Sequence, residues 1–494
     1  MIKSILKAVK YTFLILLTIV ATIIIVRAFD ARRMPDLEIW HTAKLESEFR
    51  AGQADDMITF EAYREKEARL FEELNQKVFQ LAPRIAEYQL SRYFPDGQNN
   101  PEEFPVNWNR SFEMIPTEIK GGALLLHGLT DSPYSLRGVA QILAGENIYV
   151  LGLRLPGHGT IPAGIASATW RDWMAAVHIG VRHVLSQTGE QKPFFIVGYS
   201  NGAALALKYT LDALEDSALA IPDQLILVSP AVGVTPFGFF AGWHKTLSFI
   251  PFFEKFRWQS IEPEYDPYKY NSFPKHAGQQ TFQLTIAVQK QTDTLKKMGR
   301  LSSFPSTLVF QSLVDDTVRT DAITDRFFDK LEGFHHELVL FDINRMAQTR
   351  SFFKSDNREL IENLEERSNL PYRLTVITNE DEGSREVVAK TRKTGFNEMS
   401  IISLGLSWPV GVYSLSHVAL PFPPNDSIYG QRPECSAKSA VNLGTLEPRG
   451  EKGVLRVSLN QLMRLRYNPF FCYIEERIIE TVRKYMTGGE EKTR

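Results

Sequence analysis

The pentapeptide Gly198-Tyr199-Ser200-Asn201-Gly202 follows directly on the apolar run Pro193-Phe194-Phe195-Ile196-Val197. A short apolar run of this kind reads as a buried strand, and the residues after it, Ala203 to Tyr209, are good helix formers. The turn joining such a strand to such a helix is too sharp for side chains at its flanks. Glycine at 198 and 202 lets the two backbones close up. Ser200 is then left at the top of a sheet, and the helix N-terminus aims its orphan N–H groups at the space beside it. The motif has two readings: an ordinary strand–turn–helix corner, or an elbow that presents a nucleophilic serine.

A nucleophilic serine needs a base, an acid that orients the base, and N–H donors for the developing oxyanion. Upstream, Gly122 to Leu126 is a buried-strand run ending in His127-Gly128-Leu129-Thr130. The backbone N–H groups of Leu129 and Asn201 are the expected oxyanion donors, with His127 tying the loop down. Downstream, strand 306–312 leads into Leu313-Val314-Asp315-Asp316-Thr317-Val318. The D-x-x-V spacing selects Asp315 as the acid; Asp316 is the alternative, and turn chemistry alone is the third reading. Strand 224–229 has no carboxylate near its end. Of the ten histidines, only His417, in Ser414-Leu415-Ser416-His417-Val418-Ala419, follows the acid with a strand before it and a loop around it.

With these residues in place, the chain resembles the α/β-hydrolase superfamily over about residues 119–343 and 405–485. The similar branch is that of monoacylglycerol lipases, lysophospholipases and serine aminopeptidase-like hydrolases. The resemblance rests on Leu125 to Pro133, on Arg154-Leu155-Pro156-Gly157-His158-Gly159-Thr160, on the serine pentapeptide, and on Asp315 and His417. It implies ester hydrolysis by a Ser–His–Asp triad on an acyl substrate that is often lipid-like. The chain departs from the pattern between strand 336–342 and His417, where a long stretch replaces the family's short loop.

Strands at 122–127, 148–153, 193–199, 224–229, 306–312 and 336–342 alternate with helices near 134–144, 169–187, 201–214 and 320–332. Such alternation predicts an α/β fold with a mostly parallel sheet and helices on both faces. Sites in such sheets form at the carboxyl ends of the strands. The expected organisation is a membrane anchor (1–33), a helical connector (34–115), the first part of the core (116–230), an aromatic-rich cap (231–305), the second part of the core (306–344), an insertion (345–405), and a C-terminal core segment with the histidine (406–494). In the cap, Phe237, Phe240, Trp243, Phe253 and Trp258 are candidates to line an apolar pocket; the other reading is that such rings form the cap's own small core. The connector carries apolar positions at helical spacing in 56–82, read either as a helix lying on a bilayer or as one packed on the body. The insertion holds a strand candidate at 373–378 that either extends the sheet or walls the site.

Tyr11 to Val26 carries no charge. It is short for a span, but Lys10 and Arg27 can snorkel to the two interfaces. An uncleaved anchor is favoured over a cleaved signal peptide, since Arg27 sits between the small residues of any cleavage site. The common outcome is a translocated C-terminal domain, periplasmic in a bacterium. Cys435 and Cys472 form either one disulfide there or two free thiols. A net charge of −2 gives no reason to expect nucleic acid. No metal-ligand or nucleotide motif appears, so no cofactor or metal is expected. The expected partners are the membrane and a lipid-like acyl ester; protein partners are not indicated. Two rivals remain: an aminopeptidase on the same triad, which would need a pocket acid for the free amine, and a membrane-tethered scaffold without catalysis.

Overall fold

Runs of apolar residues bounded by polar or turn-forming ones build the central sheet. The computed structural model describes residues 2–53, 59–233, 251–333, 335–353, 357–431, 442–445 and 457–487. Its strands are β1 (Phe112–Met114), β2 (Gly121–Leu126), β3 (Ile148–Leu153), β4 (Phe194–Tyr199), β5 (Gln224–Val228), β6 (Trp258–Ser260), β7 (Phe273–Pro274), β8 (Ser306–Ser312), β9 (His336–Phe341), β10 (Arg373–Asn379), β11 (Glu386–Arg392) and β12 (Met399–Ser407). The described strands of the main sheet lie in the order β1-β3-β2-β4-β5-β8-β9-β10-β11-β12, while β6 and β7 form a separate ribbon. From β3 to β10 every neighbouring pair is parallel. β1 and the β10–β11–β12 hairpins are antiparallel.

The described helices that cover this sheet are α2 (Phe60–Leu74), α3 (Arg137–Gly145), α4 (Trp170–Thr188), α5 (Asn201–Glu215), α6 (Lys275–Lys297), α7 (Thr320–Arg326), α8 (Arg358–Glu366) and α9 (Phe471–Thr487), while α1 (Ile2–Arg33) lies ahead of them. Because successive strand residues face opposite sides, Leu124 and Leu126 join one apolar cluster with Trp173, Val177 and Leu205. Ala123 and Leu125 join the other, with Val139, Leu143 and Ile478. Burial on both faces explains why these strands read as continuous apolar runs. Leu284, Val288 and Leu295 of α6 belong to the first cluster, so the second half of the segment expected as cap is a helix of the main body.

Residues of the insertion extend the sheet beyond β9. β10 adds in parallel, β11 turns back antiparallel to it, and β12, antiparallel to β11, forms the edge. The acid end of strand β8 and the serine end of β4 are left on the other side of β9, with β5 between them.

Helix α2 packs on the body through Phe60, Tyr63, Leu70, Phe71 and Leu74, all buried. Behind it lies a charge cluster. The Arg154 guanidinium donates through Nε to Glu67 at 2.8 Å, through Nη2 to Glu48 at 2.9 Å, and through Nη1 to the His158 carbonyl at 3.0 Å. All three side chains are buried, at 1, 4 and 5% exposure for Arg154, Glu48 and Glu67. Glu48 also accepts from the Gly157 N–H at 2.8 Å. The segments before the core are therefore locked to the Pro156-Gly157-His158 loop. Arg154→Leu would strand two buried carboxylates, and we expect it to cost about 3–5 kcal/mol of stability by chemical denaturation.

Helix α1 is 32 residues long, about 48 Å at 1.5 Å per residue. An 18-residue window within its Ile5–Arg33 stretch has a mean hydropathy of 2.5, and none of that window is buried. At its C-terminal end Ala31 is buried with Phe256, flanked by Ala28 and Met34. Lys255 Nζ donates to the Met34 carbonyl at 3.1 Å and to Asp36 at 2.7 Å.

Candidate active site

β3 and β4 flank β2 on opposite sides. The chain thus leaves β2 and its neighbours in opposite directions, and a crevice opens at their carboxyl ends. Ser200 sits there, immediately after β4, with φ +54° and ψ −112°. This is a strained conformation for a residue with a side chain. Its N–H donates to the Val228 carbonyl at 2.9 Å, fixing the turn to β5. The flanking glycines are sterically required. A Cβ at 198 would lie 2.4 Å from the Ala203 Cα, and one at 202 would lie 2.0 Å from the Leu126 carbonyl oxygen.

Three side chains from distant parts of the chain meet at this elbow. His417 Nε2 is 3.0 Å from Ser200 Oγ, and His417 Nδ1 is 2.7 Å from an Asp315 carboxylate oxygen. Asp315 also accepts from the N–H groups of Thr317 at 2.8 Å and Val318 at 2.9 Å, and from Gln311 Nε2 at 3.1 Å. Burial pulls its carboxyl up, but the His417 imidazole and the Val318 and Thr317 N–H groups outweigh this and hold it below the usual carboxylate range. Asp316 points away: its side chain is 82% exposed and contacts Arg464 at 3.4 Å. The His417 loop is pinned by Ser312 Oγ donating to the Leu415 carbonyl at 2.8 Å and by Ser416 Oγ donating to the Leu465 carbonyl.

Leu129 and Asn201 both line the recess in front of Ser200. Asn201 opens α5, so its N–H is one of that helix's orphans. The Leu129 side is shaped by Thr130, whose φ is +69° and whose carbonyl accepts from the Tyr270 N–H at 2.8 Å. The Tyr270 hydroxyl in turn donates to the Gly157 carbonyl at 3.0 Å, linking the two loops of the crevice. His127 is a tether. Its Nε2 accepts from the Leu155 N–H at 3.1 Å, so its Nδ1–H donates to the Gly128 carbonyl at 2.9 Å.

Burial keeps several such histidines neutral. His41 is pushed down to about 3, His158 and His336 to about 4, and His127 well below its ordinary value. The sign follows from linkage. A base whose folded pKa is depressed contributes stability that is present above its unfolded pKa, near 6.5, and lost as pH falls toward the folded value. We expect denaturation in neutral detergent to show proton uptake and a stability loss between pH 6.5 and about 4, at up to about 1.4 kcal/mol per pH unit per histidine. A flat profile across that window would contradict the neutral assignment.

Of the expected pocket aromatics, Phe237, Phe240 and Trp243, and the side chain of Phe253, lie outside the described residues, as does Cys435. Cys472 is exposed and unpaired among the described residues. Trp258 is not brought to the Ser200 recess. Its ring packs edge-on against His41 at 4.8 Å and borders a separate recess of about 430 Å³. The described cap aromatics at the Ser200 recess, itself about 490 Å³, are Tyr270 and Phe273. Three contributors have no sequence signal. Thr281 on α6 donates to the Asn201 side chain at 3.0 Å. Gln311 steadies Asp315. Lys269 pairs with the buried Asp131 at 3.0 Å.

Residues 117–343 match the family model described as serine aminopeptidase, S33. The fold is that of the α/β-hydrolases. The match ends where the insertion begins, so His417 lies beyond it. The thermostable monoacylglycerol lipase of Bacillus sp. (strain H-257) is 32% identical over 111 residues, 22% of this chain and 43% of the lipase. The chain thus spans less than half the length of that relative. Among solved structures, the monoacylglycerol lipase of Paleococcus ferrophilus shares 18% identity at a TM-score of 0.35, covering 51% of this chain and 97% of that one. A soluble variant of monoglyceride lipase from Saccharomyces cerevisiae shares 14% at a TM-score of 0.35, covering 47% and 81%. At these scores the structural likenesses add nothing to the fold described above.

Proposed function

We propose that this protein is a membrane-anchored serine hydrolase that cleaves carboxylic esters of lipid-like substrates. The observation that carries the reading is the hydrogen-bonded chain Ser200 Oγ–His417 Nε2 and Nδ1–Asp315, at 3.0 and 2.7 Å. In the proposed reaction His417 takes the Ser200 proton as Oγ attacks the ester carbonyl. The N–H groups of Leu129 and Asn201 stabilise the oxyanion. The C–O bond to the alcohol breaks, and His417 returns its proton to the departing alkoxide. Water, deprotonated by His417, then attacks the acyl-enzyme and releases the acid and Ser200. Asp315 keeps the imidazole in the tautomer with Nδ1–H.

Anchoring is supported by α1, whose apolar stretch ends at Val26, followed by Arg27, Arg32 and Arg33. The reading places α1 in the bilayer and the hydrolase on the translocated side, periplasmic in a bacterium. An aminopeptidase would need a recess carboxylate to hold an ammonium group. Asp131 is the buried candidate among the described lining residues, and it is already paired with Lys269. The test is fluorophosphonate labelling of the detergent-solubilised full chain with peptide mapping. Modification at Ser200 alone is expected; folded protein that stays unlabelled would refute the triad.

A further inference from the structure

Large apolar side chains exposed singly are ordinary, but several exposed together on one short segment call for a partner. Leu81, Ile85 and Leu90 are 64, 54 and 49% exposed. They fall within one stretch after helix α2, Leu81-Ala82-Pro83-Arg84-Ile85-Ala86-Glu87-Tyr88-Gln89-Leu90. The stretch precedes the residues that the family model matches, so the common core does not account for it. It is well held from below. Val78, Phe79 and Ala82 are buried in one apolar cluster with Trp40, Phe71 and Leu74, and Tyr88 packs on that cluster. Leu81, Ile85 and Leu90 stand outside it.

One end of the segment is tied to the foot of α1. The Tyr88 hydroxyl donates to Glu38 at 2.5 Å, and the Tyr88 ring meets Trp40 edge-on at 5.9 Å. Glu38 follows Arg33, the last residue of α1, by a chain that reaches at most about 18 Å when fully extended. That chain is itself fixed, since Lys255 Nζ donates to the Met34 carbonyl and to Asp36. The other end of the segment is tied to the wall of the Ser200 recess. Asn99 Nδ2 donates to the carbonyls of Leu90 at 2.9 Å and Tyr265 at 2.8 Å, and the Arg92 N–H donates to the Glu264 carbonyl at 2.8 Å. The Tyr265 hydroxyl accepts from Arg466, which lines the recess. The exposed apolar row thus runs from the foot of α1 toward the recess.

We infer that residues 81–90 are a second membrane contact, with Leu81, Ile85 and Leu90 entering the acyl border of the leaflet from which α1 emerges. The inference rests on the anchored reading of α1 and adds the face of the body that lies against the lipid. With α1 in the bilayer, a segment bonded to Glu38 is held near the headgroup layer, because its reach from the helix end is short against a bilayer about 40–45 Å thick. The composition suits that layer. Leu and Ile enter the acyl border, Tyr88 sits at headgroup depth, and the exposed Arg84 snorkels to lipid phosphates. A single span still tilts in a bilayer. A second contact limits the tilt and holds the recess at a set angle to the leaflet.

The experiment uses the full-length chain in phospholipid vesicles, with Cys435 and Cys472 replaced by serine. One fluorophore is attached in turn at Ile85→Cys, Leu90→Cys, Val20→Cys and Met298→Cys, all exposed positions. The quenchers are a doxyl phospholipid in the bilayer and iodide in the water. Val20 reports α1, and Met298 caps the end of α6 opposite the recess-lining Lys275. The expected result is quenching by the doxyl lipid at 85, 90 and 20, and by iodide alone at 298. Iodide quenching at 85 and 90, with lipid quenching at 20, would overturn the second contact and leave the anchor. Iodide quenching at all four positions would overturn the anchor and this inference together. Protection from both quenchers at 85 and 90, with cross-links between chains through those cysteines, would overturn it in favour of a second copy covering the row. Turnover gives a separate readout. Ile85→Ser should lower kcat/KM for an ester carried in the leaflet by about tenfold, the weight of one buried apolar side chain, and leave a short water-soluble ester unaffected. Equal losses on both esters, or none on either, would overturn the orienting role. The quenching pattern needs no catalysis, so failure of the hydrolase reading would leave that test intact.

Discussion

Ser200→Ala is expected to lower kcat by about 10⁶, the loss seen when the serine of a protease triad is removed. The reason is geometric. Ser200 Oγ is the described nucleophile within hydrogen-bond reach of His417 Nε2, and its backbone is held at φ +54° by glycines that close the turn. Alanine fits the same turn, so the fold should survive. Residual turnover would then report only the oxyanion donors and the recess. The check is kcat on a chromogenic acyl ester beside the thermal transition of the same preparation. An alanine variant that retained even a tenth of the activity would remove Ser200 from the mechanism.

Asp315→Asn is expected to cost about 10⁴ in kcat, the effect of the same change in a serine protease triad. One Asp315 oxygen accepts from the Thr317 and Val318 N–H groups, and the other faces His417 Nδ1 and Gln311. Asparagine would keep its carbonyl toward the two N–H groups and turn its NH₂ toward His417. Nδ1 would then have to accept, the proton would move to Nε2, and Nε2 could no longer take the serine proton. Asp316→Asn is the control. Its exposed carboxylate accepts from the Thr317 hydroxyl at 3.3 Å and meets Arg464 at 3.4 Å, and surface pairs of this kind are worth about 1 kcal/mol or less. A change of only a few-fold is expected there. Comparable losses in both variants would mean that the adjacent pair had been assigned the wrong way round.

The residues of this site differ in how openly the sequence displays them. The serine elbow is a local steric problem, and its solution, glycine at 198 and 202, is written within five residues. Asp315 is legible because an apolar strand points to it. His417 is legible because histidines are few and the chain order of the partners is fixed. Other features depend on contacts between remote segments and leave no local pattern. Glu48 reaches Arg154 across 106 positions, and Thr281 reaches Asn201 across 80. Arg464 and Arg466 sit in an irregular segment with no periodicity to expose them. Strand β11, between β10 and the edge strand β12, mixes Glu386, Lys390 and Arg392 with Val387 and Val388, so no apolar run announced it. Trp258 shows the limit of composition. A ring packed on His41 and a ring lining a pocket look the same in a sequence, and only the fold tells them apart.

The contact between Ala31 and Phe256 bears on how the enzyme would meet its substrate. Ala31 lies about 8 Å along the helix axis beyond Val26, so with α1 anchored as proposed it would fall within the polar layer of about 5–8 Å that borders a bilayer's hydrocarbon. The tether has no slack there. Lys255 is bonded to the Met34 carbonyl and to Asp36, so the segment leading into the recess wall at Gln259 and Ser260 is joined to the end of α1. A hydrolase anchored as proposed and held at that height would not search a volume. It would search an area, and its rate should follow the mole fraction of ester in the surrounding leaflet rather than the bulk concentration of lipid. Diluting the ester with inert lipid would then slow it even when the total amount of substrate is unchanged.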